Sequence, residues 1–449
     1  MLVDVLYEPN ITVLDNKYDP ETTAMLQAFY SRNHKPIKVR LEEMGDSSES
    51  VKKNLEKWYV GYGHKSIGQC GSFTIFIEDV SILAAKVIQD SQLYNGQETS
   101  TRYIDFSNQE MHLAVNDVQA ADVQDKFLEF YTKHQETVLA HVASVYNLDL
   151  SDKIEYKTAK ARTFDILRGF LPAGCKTQLS WHTTFTHAAD RLVQLMFHPL
   201  FEVRQIAKKI IDECKQQYPF AFAGIDKDIE RFGEYYKTYA KELNYFDPDD
   251  EWKNKFKLIA QTGNIDCNSS LADFLYDSPE KELRNRPKGV NLPKYINSYG
   301  RIDIDYILDY GSFRDIQRHR SCDQLLPILT TEFGFNSWYI ESLPYSLQKE
   351  AKKLIFEQCL EIEELKQEYS DVELQYIIPM GFNVACNLYA SLSSLTYIAE
   401  IRTSKTVHPT LRKVAKQFAD IVREYVPLYD DQSEDEIDLR RGTQDIVEK

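Results

Sequence analysis

Two runs of this sequence, VRQIAK and LRKVAK, occupy the same place in a repeated pattern of prolines and arginines. Arg204 in the first run stands fifteen residues before Pro219, and Arg412 in the second stands fifteen before Pro427. Another proline precedes the first run by 31 residues and the second run by 32. Self-similarity at a fixed period indicates that one structural unit occurs twice. We therefore predict two tandem copies of one domain, each of roughly two hundred residues.

The spacing of apolar residues predicts an α+β fold, in which a mixed sheet packs against helices. Apolar runs and alternation predict strands at 2–7, 73–77 and 256–260. Helical spacing with start and stop signals predicts helices at 20–30, 48–59, 80–88, 123–145, 157–167, 183–195 and 203–216. Residues 226–251 are strongly charged and indicate an exposed helix followed by a linker. We place the domain boundary there, with the two copies at 1–246 and 247–449.

The charge balance limits what the protein can bind. Its 449 residues include 53 lysines and arginines against 69 aspartates and glutamates, a net charge of −16. So negative a chain binds nucleic acid poorly, and any anionic ligand must be held by a local cluster of arginines. We therefore expect small-molecule substrates and no nucleic-acid partner.

Targeting signals and metal motifs are absent from the sequence. The N-terminus lacks the basic start and apolar run of a secretory signal, and no stretch of apolar residues is long enough to span a membrane. The seven cysteines are odd in number and form no CxxC pair, a pattern typical of free thiols in a reducing compartment. We expect a cytoplasmic protein with no metal site and no membrane contact.

The stretch YGSFRDIQRHR at 310–320 is the first candidate for a ligand site. Apolar spacing from Tyr306 predicts a helix that ends before Pro327, because a proline disfavours helix in the residue that precedes it. Arg318, His319 and Arg320 would lie together near that end, where two guanidinium groups and an imidazole suit phosphate. An exposed basic turn without a ligand is the alternative interpretation.

Two polar loops of the first half are further candidates. Glu98, Ser100 and Arg102 alternate, so an extended segment would direct a carboxylate, a hydroxyl and a guanidinium to one side, as a nucleotide would require. A solvated edge strand would show the same triplet. The loop Gly63-His64-Lys65-Ser66 has glycines that allow close approach of the backbone to a ligand, although a plain turn fits equally.

These residues resemble the flavin-dependent thymidylate synthases, whose signature RHRxxSxNExSxRY follows a GHxS loop. The first half has the GHxS loop as Gly63-His64-Lys65-Ser66, and it has the second part of the signature as Glu98, Ser100, Arg102 and Tyr103. In the first half the Arg-His-Arg positions hold Asp90, Ser91 and Gln92 instead.

The second half resembles the other part of the same signature. It has Arg318-His319-Arg320, but Asp323, Leu325 and Leu326 replace the serine, asparagine and glutamate. Two further family arginines flank a proline, and they are divided in the same way. The first half keeps Arg168 and has Leu195 at the other position; the second half has Gln375 and keeps Arg402.

The resemblance implies that the two halves together supply one complete site. Family members are homotetramers with sites shared between subunits, so a dimer of this duplicated chain would form a pseudo-tetramer with two good sites. The family reaction methylates dUMP to dTMP with FAD as cofactor, methylenetetrahydrofolate as carbon donor and NADPH as reductant.

The resemblance also implies roles for individual residues. The substrate dUMP would bind Glu98, Ser100, Arg102, Arg168 and Arg402, and FAD would bind Arg318, His319, Arg320, Ser66 and His64. The catalytic residues would be His319, Arg318 and Arg402. A related flavin enzyme for another pyrimidine nucleotide and a non-catalytic nucleotide-binding or assembly protein on the same scaffold remain alternatives. Gln69, which replaces a glutamate of the family, bears on how firmly FAD is held.

Overall fold

A computed structural model describes residue 12 and residues 18–44, 48–271, 283, 285–434 and 437–443. The fold is α+β, as the sequence predicts. The first half contains strands β1 (Ser72–Ser81) and β2 (Lys176–Thr184). Its helices are α1 Pro20–Tyr30, α2 Ile37–Met44, α3 Ser48–Leu55, α4 Lys65–Gly68, α5 Ile82–Gln89, α6 Val118–Lys133, α7 Gln135–Tyr146, α8 Lys153–Leu167, α9 Phe185–Leu195, α10 Phe201–Gln217 and α11 Ile225–Thr238. A π-helix, Glu56–Gly61, follows α3, and a 3-10 turn, Arg168–Phe170, follows α8.

The second half contains four strands: β3 Asp266–Ser269, β4 Ile302–Asp309, β5 Asp323–Gln324 and β6 Asn383–Ala390. Its helices are α12 Asp250–Thr262, α13 Tyr310–Ile316, α14 Ser337–Glu341, α15 Tyr345–Leu365, α16 Asp371–Leu374, α17 Leu392–Arg402 and α18 Pro409–Arg423. Short 3-10 segments lie at Lys294–Ser298, Gln375–Ile377 and Leu439–Gly442.

The strands form two antiparallel sheets. In the first half, β1 pairs with β2, and the register shifts between Ile77 and Val80. In the second half the strand order is β3-β4-β6-β5, with β4 and β6 paired along their full length. In each half the first long strand leads directly into a helix, α5 after β1 and α13 after β4. Ser81 and Asp309 begin these helices, because their side chains accept the backbone N–H three residues ahead.

The same order of elements and the same backbone contacts occur in both halves. A strand and helix are followed, further along the chain, by a 3-10 turn, a strand and two helices. The Ile82 N–H donates to the Cys175 carbonyl at 2.9 Å, and the Tyr310 N–H donates to the Phe382 carbonyl at 3.0 Å. On this alignment the residue after α5, Asp90, corresponds to Arg318, because each stands eight residues after the first residue of its helix.

The two halves share one large hydrophobic core, beside which Phe256, Ile259 and Ala385 form a small separate cluster. At its centre, the segments around Pro172 and Pro379 run antiparallel to each other. The Met380 N–H donates to the Leu171 carbonyl at 2.9 Å, and the Gly381 N–H donates to the Gly169 carbonyl at 2.8 Å. These backbone hydrogen bonds join the two halves. Elements from both halves can therefore contribute to a common site.

Two local predictions were wrong and others were right only in part, each for a physical reason. Residues 256–260 lie in helix α12, because Asp249 caps its start and Gly263, at φ 69°, ends it in a left-handed conformation. The predicted helix from Tyr306 is strand β4 up to Asp309, since burial of both strand faces hides the alternation. Residues 123–145 form two helices that meet at His134, and 183–195 begins with the end of strand β2, which the sequence did not reveal.

Four other local predictions were confirmed, and one lies outside the described residues. Helices at 20–30, 157–167 and 203–216, and the strand at 73–77, fall within α1, α8, α10 and β1. The strand predicted at 2–7 lies outside the described residues.

All seven cysteines are free, and no group of possible metal ligands occurs in the described ranges. Among the helices described, none is both long and apolar enough to cross a membrane.

Candidate functional site

The Arg-His-Arg segment lies where helix α13 ends, facing the loop 94–103 of the first half. The helix stops at Ile316 because the Gln324 amide donates to the carbonyls of Ile316 at 3.1 Å and His319 at 2.9 Å. A side-chain cap, and not Pro327, thus ends the helix. Arg320 reaches across the halves, and its Nη1 donates to the Asn95 side chain at 3.2 Å.

Glu98 joins the two halves through a buried cluster of ions. Its Oε1 lies 2.5 Å from Arg314 Nη2, and its Oε2 lies 2.7 Å from Lys86 Nζ. Gln89 donates to the same Oε2 at 2.9 Å, and only 1% of the Glu98 side chain is exposed. Burial alone would raise the pKa of Glu98, but the charges of Arg314 and Lys86 lower it to about 2. Both carboxylate oxygens are therefore bound within the protein, and Glu98 orders the loop around it.

Arg102 is held by Asp165 on α8. Its Nε and Nη2 donate to the two oxygens of Asp165 at 2.7 and 3.1 Å, a bidentate pair. Arg441, near the C-terminus, binds the same buried carboxylate. Burial opposes ionisation, but Arg102 and Arg441 keep the pKa of Asp165 well below its usual range. Ser100 lies beside this pair, and its hydroxyl accepts the Arg102 N–H at 3.3 Å.

Arg168 and Asp315 form a second link between the halves. Arg168 Nη2 donates to the Ser312 hydroxyl at 3.0 Å, and its Nη1 lies 3.6 Å from Asp315 Oδ2. Arg402 donates through Nη2 to the Asp315 backbone carbonyl at 2.6 Å. Burial would raise the pKa of Asp315, yet four guanidinium groups hold it well below its usual range: those of Arg168, Arg318, Arg102 and Arg402. Asp315 is thus the common electrostatic centre of arginines from both halves.

His319 is neutral in this arrangement. Arg402 Nε donates to its Nε2 at 2.7 Å, so that ring nitrogen acts as an acceptor. Burial, together with the positive charges of Arg402 and Arg318, lowers the pKa of His319 to about 3. A buried neutral imidazole can accept or relay a proton, but it adds no positive charge to the site.

Arg318 differs from the other arginines of the cluster because its side chain is exposed. Within the described ranges it forms no hydrogen bond or ion pair, although its charge acts on Lys86, Tyr94, Asp315 and His319. The cluster contains more cations than carboxylates: Lys86, Arg102, Arg168, Arg314, Arg318, Arg320, Arg402 and Arg441 against Glu98, Asp165 and Asp315. In a chain with a net charge of −16, this surplus makes a local site for an anion.

The GHxS loop lies against helix α9. Lys65 pairs with Asp190 at 2.7 Å, and the Thr186 hydroxyl donates to the Lys65 carbonyl. The His64 ring lies 6.1 Å from the Trp58 ring, and Ser66 is exposed. No hydrogen bond or ion pair in the described part of the chain joins His64 or Ser66 to the arginine cluster, so their role as FAD ligands stays a prediction.

The place that corresponds to this cluster in the other half is filled by the protein itself. There, Asp90 stands at the position of Arg318 and Gln375 at that of Arg168. The Tyr245 ring is buried beside them and interacts with Gln375. The Phe246 N–H donates to the Leu326 carbonyl at 2.7 Å, which ties the segment in position. Among the described residues, the basic cluster therefore occurs once.

The sequence predicted that residues from both halves form one site, and the structure places these residues in one region. They are Glu98, Arg102, Arg168, Arg318, His319, Arg320 and Arg402. Sequence reasoning missed Lys86, Asp165, Arg314, Asp315 and Arg441. Arg314 and Asp315 lie in the stretch that carries Arg318, one helical turn earlier, so helical spacing could have indicated them. Nothing local to Arg441 points to the site.

The fold and the cluster define an α+β protein with a basic site built from two halves of one chain. Residues 12–220 match the model of the family described as thymidylate synthase complementing protein. Over these residues the chain is similar to that family, in agreement with the resemblance of its motifs to the flavin-dependent thymidylate synthases.

Three relatives align with both halves of the chain. Two are UPF0159 proteins of Chlamydia pneumoniae and Chlamydia muridarum, each 24% identical, over 423 and 425 residues. Each of these alignments covers 82% of this chain and 78% of the relative. A UPF0159 protein of Thermoplasma acidophilum is 21% identical over 431 residues, with 82% of this chain and 86% of the relative covered.

Proposed function

We propose that the protein is a flavin-dependent thymidylate synthase that methylates dUMP to dTMP, with methylenetetrahydrofolate as carbon donor and NADPH as reductant. The observation that carries this proposal is the pair of contacts between halves, Arg314 with Glu98 and Arg168 with Asp315. The first joins helix α13, which leads into the Arg-His-Arg segment, to Glu98 of the Glu-x-Ser-x-Arg segment, and the second joins the same helix to Arg168 of the first half. The similarity of residues 12–220 to the thymidylate synthase complementing protein family supports the same reaction.

The chain would be a tandem duplication with one repeat at 1–246 and the other at 247–449. The repeated order of elements and the matching hydrogen bonds of Ile82 and Tyr310 support this interpretation. Because Tyr245 fills the corresponding place, each chain would hold one site. A homodimer would then be a pseudo-tetramer with two active sites, formed within each chain.

The donor set fits an anionic cofactor such as FAD. Exposed Arg318 and half-buried Arg320 supply positive charge, and neither forms a salt bridge with a carboxylate of the described residues. His319 lies beside them, and Ser66 and His64 would form a second, more distant contact. When bound, FAD would supply the hydride, and Arg318 with Arg320 would stabilise negative charge on it.

On the substrate side, the residues present would orient dUMP rather than react with it. Arg402 is held by His319 and by the Asp315 carbonyl, so its guanidinium group has a fixed direction. Glu98 fixes the loop that carries Ser100 and Arg102, and Arg168 fixes helix α13 through Ser312. The proposed contacts of dUMP with Ser100, Arg102 and Arg402 would use this preformed frame.

Loss of Arg318 tests the proposal directly. Arg318→Gln should lower turnover at least about a hundredfold, because removal of a preorganised charge at a reacting site costs about that much. Tritium release from dUMP labelled at C5, in the presence of FAD, NADPH and methylenetetrahydrofolate, measures the reaction. Arg231→Gln, an equally exposed arginine on α11 outside the cluster, is the matched control and should retain full activity. Release of tritium at the wild-type rate by Arg318→Gln would refute the assignment.

One observation favours a second candidate, a nucleotide-binding protein without catalysis. Most of the N–H donors of Arg102 and Arg168 face Asp165, Ser312 and Asp315. The interior of the site is therefore rigid, and the positive charge of these two arginines is partly neutralised. Such a protein would bind dUMP or another pyrimidine nucleotide but would show neither a flavin spectrum nor tritium release. The absorbance of the purified protein after incubation with FAD separates the two candidates.

A further inference from the structure

A short turn of the second half packs on helix α8 of the first half and adds one side chain to the basic cluster. This turn is Leu439–Gly442, and the Thr158 hydroxyl on α8 donates to its Leu439 carbonyl at 3.4 Å. Gly442 permits the contact, because a Cβ there would lie 2.6 Å from the same hydroxyl oxygen. Arg441 belongs to this turn and is buried, with 2% of its side chain exposed. The turn therefore holds Arg441 in a fixed place on α8.

Arg441 shares the carboxylate of Asp165 with Arg102. Its Nη1 donates to one oxygen of Asp165, and its Nη2 donates to the other at 3.3 Å. The guanidinium carbon of Arg441 also lies 5.3 Å from the centre of the Tyr103 ring, and Tyr103 follows Arg102 in the chain. Arg441 thus acts on the loop 94–103 in two ways, through Asp165 and through Tyr103.

The charges of the Arg102–Asp165–Arg441 group do not cancel. Asp165 alone would balance the charge of Arg102, and such a neutral pair would attract an anion only weakly. With Arg441 present, two positive charges and one negative charge leave one positive charge in a buried place, where solvent screens it little. Asp315 also acts on Arg102, but two further arginines lie beside Asp315 and offset its charge.

Arg102 has one nitrogen left for a ligand. Its Nε and Nη2 bind Asp165, whereas Nη1 forms no hydrogen bond with any described residue, and 13% of the side chain is exposed. A carboxylate that fixes the direction of an arginine also neutralises it, so orientation and attraction for an anion oppose each other. A second guanidinium group on the same carboxylate resolves this opposition, because Asp165 can hold Arg102 while the group stays positive.

We infer that Arg441 is a positioning residue for nucleotide binding, which acts through Asp165 to hold Arg102 in place and to keep its surroundings positively charged. This inference rests on the proposed function, because it takes dUMP as the ligand and Arg102 as one of its contacts. Arg441 lies outside residues 12–220, which match the family model, so the second half supplies it to a contact made by the first half.

Calorimetric binding of dUMP and of deoxyuridine to the full-length protein tests this inference without turnover. Arg441→Gln should weaken binding of dUMP about tenfold, because the lost charge lies one carboxylate away from Arg102. Binding of deoxyuridine, which carries no phosphate, should stay unchanged. Arg441→Lys keeps the positive charge and should recover most of the loss. Equal losses for both ligands, or no loss for dUMP, would overturn the inference.

The neighbouring Arg440 provides the matched control. It lies in the same turn, but 68% of its side chain is exposed, and it pairs with Asp438 rather than with Asp165. Arg440→Gln removes the same charge from a position that solvent screens, so dUMP should bind this variant as it binds the wild type. A loss as large as that of Arg441→Gln would overturn a role that acts through Asp165.

A double variant separates the effect of charge from damage to the fold. Asp165→Asn combined with Arg441→Gln removes one charge of each sign, so the net charge around Arg102 returns to its wild-type value. The double variant should bind dUMP more tightly than Arg441→Gln alone, since the two changes act on one group. A purely structural contact predicts the reverse, because the second substitution removes a further buried partner. Binding of dUMP by the double variant no tighter than by Arg441→Gln would overturn the inference.

The two proposals fail in different ways. Tritium release together with unchanged dUMP binding by Arg441→Gln would leave the proposed function standing and remove the role of Arg441. Binding of dUMP that depends on Arg441, without tritium release, would support the positioning role and contradict the synthase. A wild-type protein that does not bind dUMP would overturn both.

Discussion

At the scale of single residues, the site consists mainly of groups that hold one another. Arg102, Arg168 and Glu98 are each bound to a partner on another element, whereas Arg318 is exposed. Residue types indicated which side chains lie together here. Arginines at positions of the family motif require an anionic ligand or a carboxylate to balance their charge. Their partners were not predictable, since Asp165 and Arg441 are distant in sequence and carry no local pattern.

His319 should make stability depend on pH. Its pKa is lowered to about 3 in the folded protein against an ordinary value of 6.5, so the unfolded chain binds this proton first. The stability that neutral His319 provides is therefore present above about pH 6.5 and lost as the pH falls toward 3. Urea unfolding of wild type and His319→Gln at several pH values should show a difference in free energy that shrinks as the pH falls, by at most about 1.4 kcal/mol per pH unit. A constant difference would contradict a buried neutral histidine.

At the scale of elements, α1, which Asp19 caps, and α10, whose buried residues recur at helical spacing, were predicted well. Strand β4 is buried on both faces and was taken for the start of a helix. Strand β2 was missed although buried residues alternate along it, and both strands pair with partners far away in sequence. The sequence predicted a strand in place of helix α12 because the apolar group around Phe256 is short. In the structure Asp249 caps the start of a helix there.

The crossing of the two proline segments leaves no room for a side chain at Gly381. A Cβ there would lie 2.6 Å from the Gly169 carbonyl oxygen and 2.4 Å from the Phe335 ring. Gly381→Ala should lower the free energy of unfolding by about 2 kcal/mol or more, because overpacking at a backbone contact forces both halves apart. Gly61→Ala is the control, since its Cβ would meet only the Glu56 carbonyl at an ordinary 3.6 Å. Equal urea midpoints for the two variants would contradict a tight crossing.

At the scale of the whole molecule, the sequence predicted the division of the motif between two halves but not where the halves meet. A repeat could be predicted because matching proline and arginine spacings occur in the two halves. The shared core could not, since it depends on contacts between elements such as α6 and α15, which no spacing records. The contacts of Glu98 with Arg314 lie within one chain, a point that sequence motifs alone leave open.

A site formed within one chain predicts that two damaged chains cannot repair each other. Arg318→Gln and Arg102→Lys should each abolish tritium release, and an equimolar mixture of the two variants should be no more active than either alone. Lysine at 102 keeps a positive charge opposite Asp165, which limits the structural damage. Recovery of a substantial fraction of wild-type activity in the mixture would indicate a site shared between chains.

The segment at Tyr245 and Phe246 has a consequence for how the molecule can fail. Because it occupies the counterpart of the basic cluster, the described residues hold one such cluster, to which both halves contribute. Under the proposed function, damage to either half would inactivate the same single site, and neither half could stand in for the other.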